Sequence, residues 1–312
     1  MYIYTHSEFV RHEVAEGHPE RPERLRHLMD HLEREGILSD CPPREPTDLS
    51  DAQILAAHTP EHLQFLQRSA PTDGIVPLDP DTWMGARSLS AARLAASAVC
   101  SGVDDVLSGE ETRVFCAVRP PGHHAEADSA MGFCLFNSIA IAALHALNQS
   151  TITRVAILDF DVHHGNGTQA CFWNDGSLFY ASSHQMPLFP GTGAYDETGA
   201  YQNIFNLPLA YGTGGSSIRS GWRDDLLPSV VAAKPDLIII SAGFDAHEAD
   251  PLGGLQMTSD DFGILTNDII DAANEAAEHS GAVRVVSLLE GGYDLNALGQ
   301  SVCQHMTGLE GI

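Results

Sequence analysis

An α/β fold with a mainly parallel sheet and helices on both faces is the prediction, and three observations make it. Runs of strand length (Thr112–Val118, Val155–Leu158, Leu237–Ser241, Val283–Leu289) alternate with longer segments of helical periodicity, an order that calls for a parallel sheet covered by helices. Val155–Leu158 and Leu237–Ile240 are apolar throughout, as in strands buried on both faces. Each run is followed directly by ionisable or glycine-rich residues, and the carboxyl edge of an open parallel sheet is where ligands bind.

The elements follow in order. Met1-Tyr2-Ile3-Tyr4 reads as a first strand, without the basic flank or apolar core of a secretory signal. Pro22 to Glu35 is helical, while Pro42-Pro43 and Pro71 to Pro80 are expected as surface loops, since proline interrupts ladder and helix alike. Arg87 to Leu107 predicts a long helix ahead of the first run, and Cys134 to Asn148 another ahead of the second. Gly191 to Gly199 is a third surface loop. Ser216 to Ala233 begins at Ser216-Ser217 after two glycines, and Ser259 to His279 after Thr258; hydroxyl and acidic residues there satisfy the free N–H groups of a helix start. Leu295 to Gly308 is a closing helix. No internal repeat, low-complexity tract or long linker divides the chain, so one domain over 1–312 is expected.

The chemistry lies at the ends of the runs. Asp159-Phe160-Asp161-Val162-His163-His164-Gly165-Asn166-Gly167 follows Val155–Leu158. Asp161 and His163 are two positions apart, so an extended backbone points both side chains the same way. A carboxylate with an imidazole suits zinc or a similar divalent ion, and Gly165-Asn166-Gly167 is expected to turn sharply with positive φ. The bland alternative is a strand end with a polar tip; the density of ionisable residues argues against it. Leu237–Ser241 runs into Ala242-Gly243-Phe244-Asp245-Ala246-His247, a further carboxylate past a buried strand. Thr112–Val118 opens into Arg119-Pro120-Pro121-Gly122-His123-His124-Ala125, and Val283–Leu289 into Glu290-Gly291-Gly292-Tyr293-Asp294. Three ligands with an open position describe a catalytic zinc site. Adjacent histidines can serve as acid and base, and a tyrosine after two glycines as a hydrogen-bond donor.

Together these segments resemble the zinc-dependent histone deacetylases, in the class II-like branch that bacteria also carry. The acetylpolyamine amidohydrolases and, more distantly, arginase share that superfamily. The most specific motifs are Pro120-Pro121-Gly122-His123-His124, Met131-Gly132-Phe133-Cys134, Asp159 to Gly167, Phe189-Pro190-Gly191-Thr192-Gly193 and Gly243-Phe244-Asp245. The resemblance runs from His18-Pro19-Glu20-Arg21-Pro22-Glu23-Arg24 to Glu290-Gly291-Gly292-Tyr293, nearly the whole chain. It implies an arginase-like domain, an eight-stranded sheet with the site at its carboxyl edge.

It also implies roles. Asp161, His163 and Asp245 would hold one Zn²⁺, leaving room for water and a substrate carbonyl, and the same donors would accept Fe²⁺ or Co²⁺. His124 would be the general base that returns its proton to the leaving amine, and His123 a cationic, electrostatic neighbour. Asp159 and Asn166 match the partners of His123 and His124, and an Asp on one with an Asn on the other should push the two imidazole pKa values apart. Tyr293 would donate to the developing oxyanion. Phe133 and Phe189 would line an acyl-lysine tunnel, and the Gly132 carbonyl would accept the substrate amide hydrogen. Leu252 stands where polyamine-selective relatives place a glutamate. Ser182 and Ser183, with Asp159, Asp161 and His163, match a structural K⁺ site, and a second monovalent site would lie near Phe172, Asp175 and Leu178. Arg24 is expected beneath the pocket floor or on a helix surface, and Cys134 on the pocket wall or packed as a small hydrophobe. His6, His12, His18, His58 and His62 are expected at the surface or in an outlying layer.

Composition narrows the partners. With 42 acidic and 16 basic residues the chain carries a net charge of −26, and Lys234 is its only lysine. That argues against a nucleic-acid surface, which needs clustered positive charge. It fits a solvated acidic shell in a salt-adapted organism, and it could also steer cationic substrates. No apolar run approaches the ~18 residues of a membrane helix. Cys41, Cys100, Cys116, Cys134, Cys171 and Cys303 show no paired spacing, which suits a reducing cytoplasm. Three functions remain: deacylation of an Nε-acyl-lysine or similar amide, deacetylation of a polyamine, and a catalytically silent acyl-binding scaffold. Leu252 counts against the second and the intact His123, His124 and Tyr293 against the third, while arginase chemistry lacks the further aspartates it needs. The expected partner is an acylated amine, with neither nucleic acid nor membrane; a homo-oligomer is left open.

Overall fold

Strands that bury both faces must be apolar at nearly every position, and Val155–Asp159 and Leu237–Ala242 are buried at every residue. The computed structural model describes residues 1–281 and 283–310, with backbone alone at 279 and 280. Its strands are β1 (Tyr2–Tyr4), β2 (Pro43–Arg44), β3 (Ile75–Pro77), β4 (Trp83–Gly85), β5 (Arg113–Cys116), β6 (Val155–Asp159), β7 (Leu178–Gln185), β8 (Ile204–Leu209), β9 (Leu237–Ala242) and β10 (Val285–Leu289). Eight of them form one sheet in the order β2-β1-β5-β10-β9-β6-β7-β8, and every pairing in it is parallel. The other two, β3 and β4, form a small antiparallel ribbon. The last two residues of the expected 1–312 domain lie outside the described residues.

The helices are α1 (Glu23–Arg34), α2 (Ile37–Asp40), α3 (Asp51–Ala57), α4 (Pro60–Ser69), α5 (Ser88–Ser108), α6 (Ser138–Leu147), α7 (Asn166–Phe172), α8 (Gly215–Gly221), α9 (Leu227–Ala233), α10 (Ser259–Ser280) and α11 (Leu295–Glu310). Alternation along a strand sends successive side chains to opposite layers. Val114 and Val286 press on Gly102 of α5, where an added Cβ would come 2.8 Å from Val114 Cγ1. The next residue, Ser287, bonds His305 Nε2 of α11 on the other face at 2.8 Å. The sheet is therefore covered on both sides, as predicted.

Several elements differ from expectation. Pro43 starts edge strand β2, where a proline's missing N–H costs nothing, and the expected loop Pro71 to Pro80 contains β3. The helix expected from Cys134 starts at Ser138, capped by the Asn137 side chain on Ala140 N. Ser216 to Ala233 is helical but widens into a π-turn at Trp222–Leu226, which seats the fully buried Trp222 so that its indole N–H donates to Ser183 Oγ at 2.8 Å. The cysteines are all unpaired, and among the described residues no helix is long and apolar enough to cross a membrane.

A buried ion network ties the segment before α1 to the sheet edge. Glu20, Arg24 and Arg119 have no solvent exposure. The Glu20 carboxylate accepts from Arg119 Nε and Nη2 at 2.5 and 2.7 Å and from Arg24 Nη1 at 3.0 Å. Arg24 also donates to the carbonyls of Gly292 at 2.6 Å and Glu290 at 2.7 Å. Its guanidinium lies 4.8 Å from the Tyr293 ring centroid, so Arg24 is beneath the pocket floor and not on a helix surface. Removing one member of such a network leaves an uncompensated buried charge. Arg119→Met should therefore lower unfolding free energy by roughly 3–5 kcal/mol, read by chemical denaturation; an unchanged midpoint would show that the network does not hold the edge together.

Candidate active site

The four strands that the motifs follow, β5, β10, β9 and β6, stand consecutively in the sheet, so their C-terminal loops emerge at one edge. There Asp161, His163 and Asp245 converge, with one ligand atom from each lying within 4.8 Å of the others. His163 Nδ1 is 3.1 Å from both Asp161 Oδ1 and Asp245 Oδ2. The N–H groups of His163 and Gly291, each at 2.9 Å, hold Asp161, and that of Val162 holds Asp245 at 2.8 Å. A Cβ at Gly243 or Gly291 would collide with these carboxylates. Space, not turning, explains the Gly165 and Gly167 pair too. Gly165 has φ −75° and Gly167 lies in α7, so neither adopts the expected positive φ. A Cβ at Gly165 would strike Asp159, and one at Gly167 the Ala125 carbonyl.

Two buried carboxylates sharing one imidazole nitrogen are short of positive charge. Burial, and then the charge of Asp161, pushes the Asp245 carboxyl up to about 7. Burial works against a charged His163, yet its hydrogen bonds to Asp161 and Asp245 override that and hold it at about 10. A divalent cation where the three donors meet would relieve both, so the donor set fits Zn²⁺, and Fe²⁺ or Co²⁺ on the same ligand chemistry.

Beside this cluster stand His123 and His124, their ring centroids 4.0 Å apart. His123 Nδ1 bonds Asp159 Oδ2 at 3.0 Å, an oxygen that also accepts from the Tyr180 hydroxyl at 3.1 Å. His124 Nδ1 bonds Asn166 Oδ1 at 2.8 Å. Burial disfavours charge on both rings. In His123 the carboxylates of Asp159, Asp161 and Glu290 outweigh it, and the pKa is raised well above the usual histidine value. In His124 burial, reinforced by His123, holds the pKa well below it. The two are driven in opposite directions.

A cavity of about 250 Å³ opens above, walled by Phe133, Leu188, Phe189 and Leu252, with Asp81 also lining it and Tyr293 beside the imidazoles. Phe189 meets His124 edge-on at 5.1 Å, and Phe133 meets Tyr293 at 5.8 Å. Burial raises the Tyr293 hydroxyl well above its usual pKa, so it stays a donor. Gly132 has φ +54°, and a Cβ there would collide with the His124 ring; its carbonyl accepts the Cys134 thiol at 3.2 Å. Cys134 is fully buried and does not line the cavity.

The histidines expected in an outlying layer divide. His18 supports the wall, meeting Phe133 edge-on at 4.6 Å and bonding the Asp81 carbonyl through Nε2 at 2.9 Å. His12 is buried 3.3 Å from Glu20, and His58 and His62 stack at 4.9 Å in the interior. Ser182 pairs with Asp159 in register and its Oγ lies 2.9 Å from His184 Nδ1. Ser183 turns to the other face, where Trp222 occupies its hydroxyl, so toward Asp159 it can offer only backbone. The second monovalent site does not fit. Asn203 Nδ2 already bonds the carbonyls of Phe172 (3.1 Å), Asp175 (3.1 Å) and Leu178 (2.8 Å), so an amide of this chain fills that cage.

Sequence reasoning gave no role to several residues that shape the site. Glu290 is buried and takes Gly122 N at 2.6 Å and His123 N at 3.3 Å, fixing the backbone of the dyad. Asp250 takes Tyr293 N at 2.7 Å and Leu252 N at 3.0 Å, joining two walls of the cavity. An acid within or just past a motif was the available signal for both. Asp81 gave none: it stands outside every motif, and its tie to the cavity wall runs through His18, 63 positions away.

The model of the histone deacetylase domain matches residues 18–309. A probable deacetylase of Archaeoglobus fulgidus is 38% identical over 94% of this chain and 81% of its own length. A histone deacetylase-like amidohydrolase of Pseudomonas aeruginosa is 35% identical over 96% and 80%. Among solved structures, the crystal structure of the HDA15 HD domain superposes with a TM-score of 0.93 at 34% identity, covering 100% of this chain and 91% of that one.

Asp161→Ala and Asp245→Ala should each lose stoichiometric zinc after reconstitution, measured by elemental analysis, since two remaining donors hold a divalent ion weakly. Full occupancy in either variant would overturn the ligand set.

Proposed function

This chain belongs to the histone deacetylase family, and we propose that it is a zinc-dependent amidohydrolase that removes acetyl or related acyl groups from an acyl-lysine side chain or similar amide. One geometry carries the reading: an aromatic-walled cavity of about 250 Å³ whose base combines the Asp161–His163–Asp245 cluster with two oppositely tuned imidazoles and Tyr293. A divalent ion held by the cluster would polarise the amide carbonyl and acidify a water. Phe133 and Phe189 flank an aliphatic chain and exclude solvent, and the Gly132 carbonyl orients the amide N–H. His124, held neutral, accepts the water proton at Nε2 as the new C–O bond forms. Tyr293 donates to the oxygen that gains charge. As the C–N bond breaks, His124 returns that proton to the amine, and acid and amine leave. His123, held cationic against Asp159, supplies fixed positive charge beside the reacting centre.

Leu252 on the cavity wall, in place of an acid, favours acyl-lysine over acetylpolyamines. Ser182, buried beside Asp159, supports a K⁺ ion that steadies this strand end. The unpaired thiols support a cytoplasmic setting.

A panel of acyl-lysine peptides, acetylpolyamines and small acetylated amides, given to metal-reconstituted enzyme, tests the substrate class; preference for acetylpolyamines over every peptide would refute it. His124→Ala should lose far more kcat than His123→Ala, because it removes both proton transfers, each worth ~10²–10⁴-fold; equal or reversed losses would exchange the roles. Tyr293→Phe should lower kcat by roughly 10²–10³ on an acetyl amide and much less on a trifluoroacetyl amide, whose carbonyl is already activated. Undiminished turnover on the acetyl substrate would remove Tyr293 from the mechanism.

A further inference from the structure

We infer that Glu126 is a positioning residue that sets the tautomer of His124 by fixing which end of the Asn166 amide faces it. Asn166 is 5% exposed and wedged between the two. Its Nδ2 donates to Glu126 Oε1 at 2.8 Å, and its Oδ1 lies 2.8 Å from His124 Nδ1. The His124 carbonyl at 3.3 Å and Met131 Sδ at 3.4 Å also approach Nδ2, so every neighbour on that side is an acceptor.

An amide turned end for end occupies the same space, so its orientation is decided by its hydrogen bonds. A carboxylate only accepts, and Glu126 therefore claims the NH₂ end and leaves Oδ1 to the imidazole. An oxygen facing Nδ1 requires a proton there, which leaves the Nε2 lone pair free toward the cavity. With the amide reversed, NH₂ would face Nδ1, the proton would sit on Nε2, and the base would be lost. Glu126 is itself pinned: its N–H donates to the Ser129 carbonyl at 3.0 Å, and its carbonyl lies 3.0 Å from His58 Nδ1. His123 needs no such device, because an Asp carboxylate has no wrong end.

This inference rests on the proposed role of His124, and the experiment separates the two. In zinc-reconstituted, ¹⁵N-histidine-labelled protein, the His124 ring signals, assigned by difference with His124→Gln, should show Nδ1–H in the parent. Glu126→Gln keeps an acceptor and should retain that tautomer with kcat within a few fold. Glu126→Lys presents only donors, so it should turn the amide and move the proton to Nε2. Its kcat should fall by roughly 10²-fold or more, with KM and zinc content unchanged. Glu126→Leu, with neither donor nor acceptor, should give a mixture and an intermediate kcat, and it stands in if the lysine variant does not fold. Nδ1–H and parental kcat in both Glu126→Lys and Glu126→Leu would overturn the role of Glu126. A shifted tautomer with undiminished kcat would instead leave Glu126 in place and remove His124 as the base.

Discussion

Burying negative charge is the constraint on which the rest of the structure depends. Asp159, Asp161, Asp245 and Glu290 all lie at the carboxyl edge of adjacent strands with at most 1% exposure. Each such group is costly unless donors or cations surround it. The surroundings supply both: backbone N–H groups of Gly122, Asp161, Val162, His163 and Gly291, the Tyr180 hydroxyl, and two imidazoles raised in pKa. The glycines of the motifs follow from the same demand. Gly165, Gly243 and Gly291 stand where a Cβ would occupy the space of a carboxylate, and none has a positive φ. At Gly291 the missing side chain also lets the backbone N–H come within 2.9 Å of Asp161.

This explains which parts of the fold were legible in the sequence. β6, β9 and β10 bury apolar residues on both faces and announce themselves as runs. β7 is equally buried, but its second half reads Ser182-Ser183-His184-Gln185, polar because it serves the charged edge and the layer behind it. β8, at the margin of the sheet, carries Asn206 and Pro208 and looks like loop. The short helices α3 and α4 carry their signals in the caps Ser50 and Thr59, which say little without a long apolar stripe to follow.

The site divides in the same way. Asp161 with His163, and His123 with His124, are local patterns, and local patterns survive in a one-dimensional sequence. The Glu20–Arg119 pair is 99 positions apart and exists only once β5 and the segment before α1 are folded together. Asp81 reaches the cavity from the ribbon ahead of α5, whereas the other walls come from loops that follow sheet strands. The net charge of −26 misleads in one respect. It is a sum over the whole chain, whereas the acids buried at the sheet edge are compensated within a few ångströms by their own donors.

His123 and His124 show how little has to differ for two identical side chains to be driven to opposite charge states. They are adjacent in sequence, both buried, and tilted against each other with ring centroids 4.0 Å apart. Their surroundings differ by a carboxylate against an amide at Nδ1. The carboxylate carries charge and makes a cation of one ring. The amide carries none, so the second ring stays neutral next to the first, whose charge holds its pKa down further still. An amide has two ends, however, and a neutral imidazole has two tautomers, so the asymmetry that keeps one ring neutral also introduces an ambiguity that a pair of aspartates would not have. In the role inferred for Glu126, the acid beyond Asn166 resolves it, one residue past the Ala125 that closes the histidine motif.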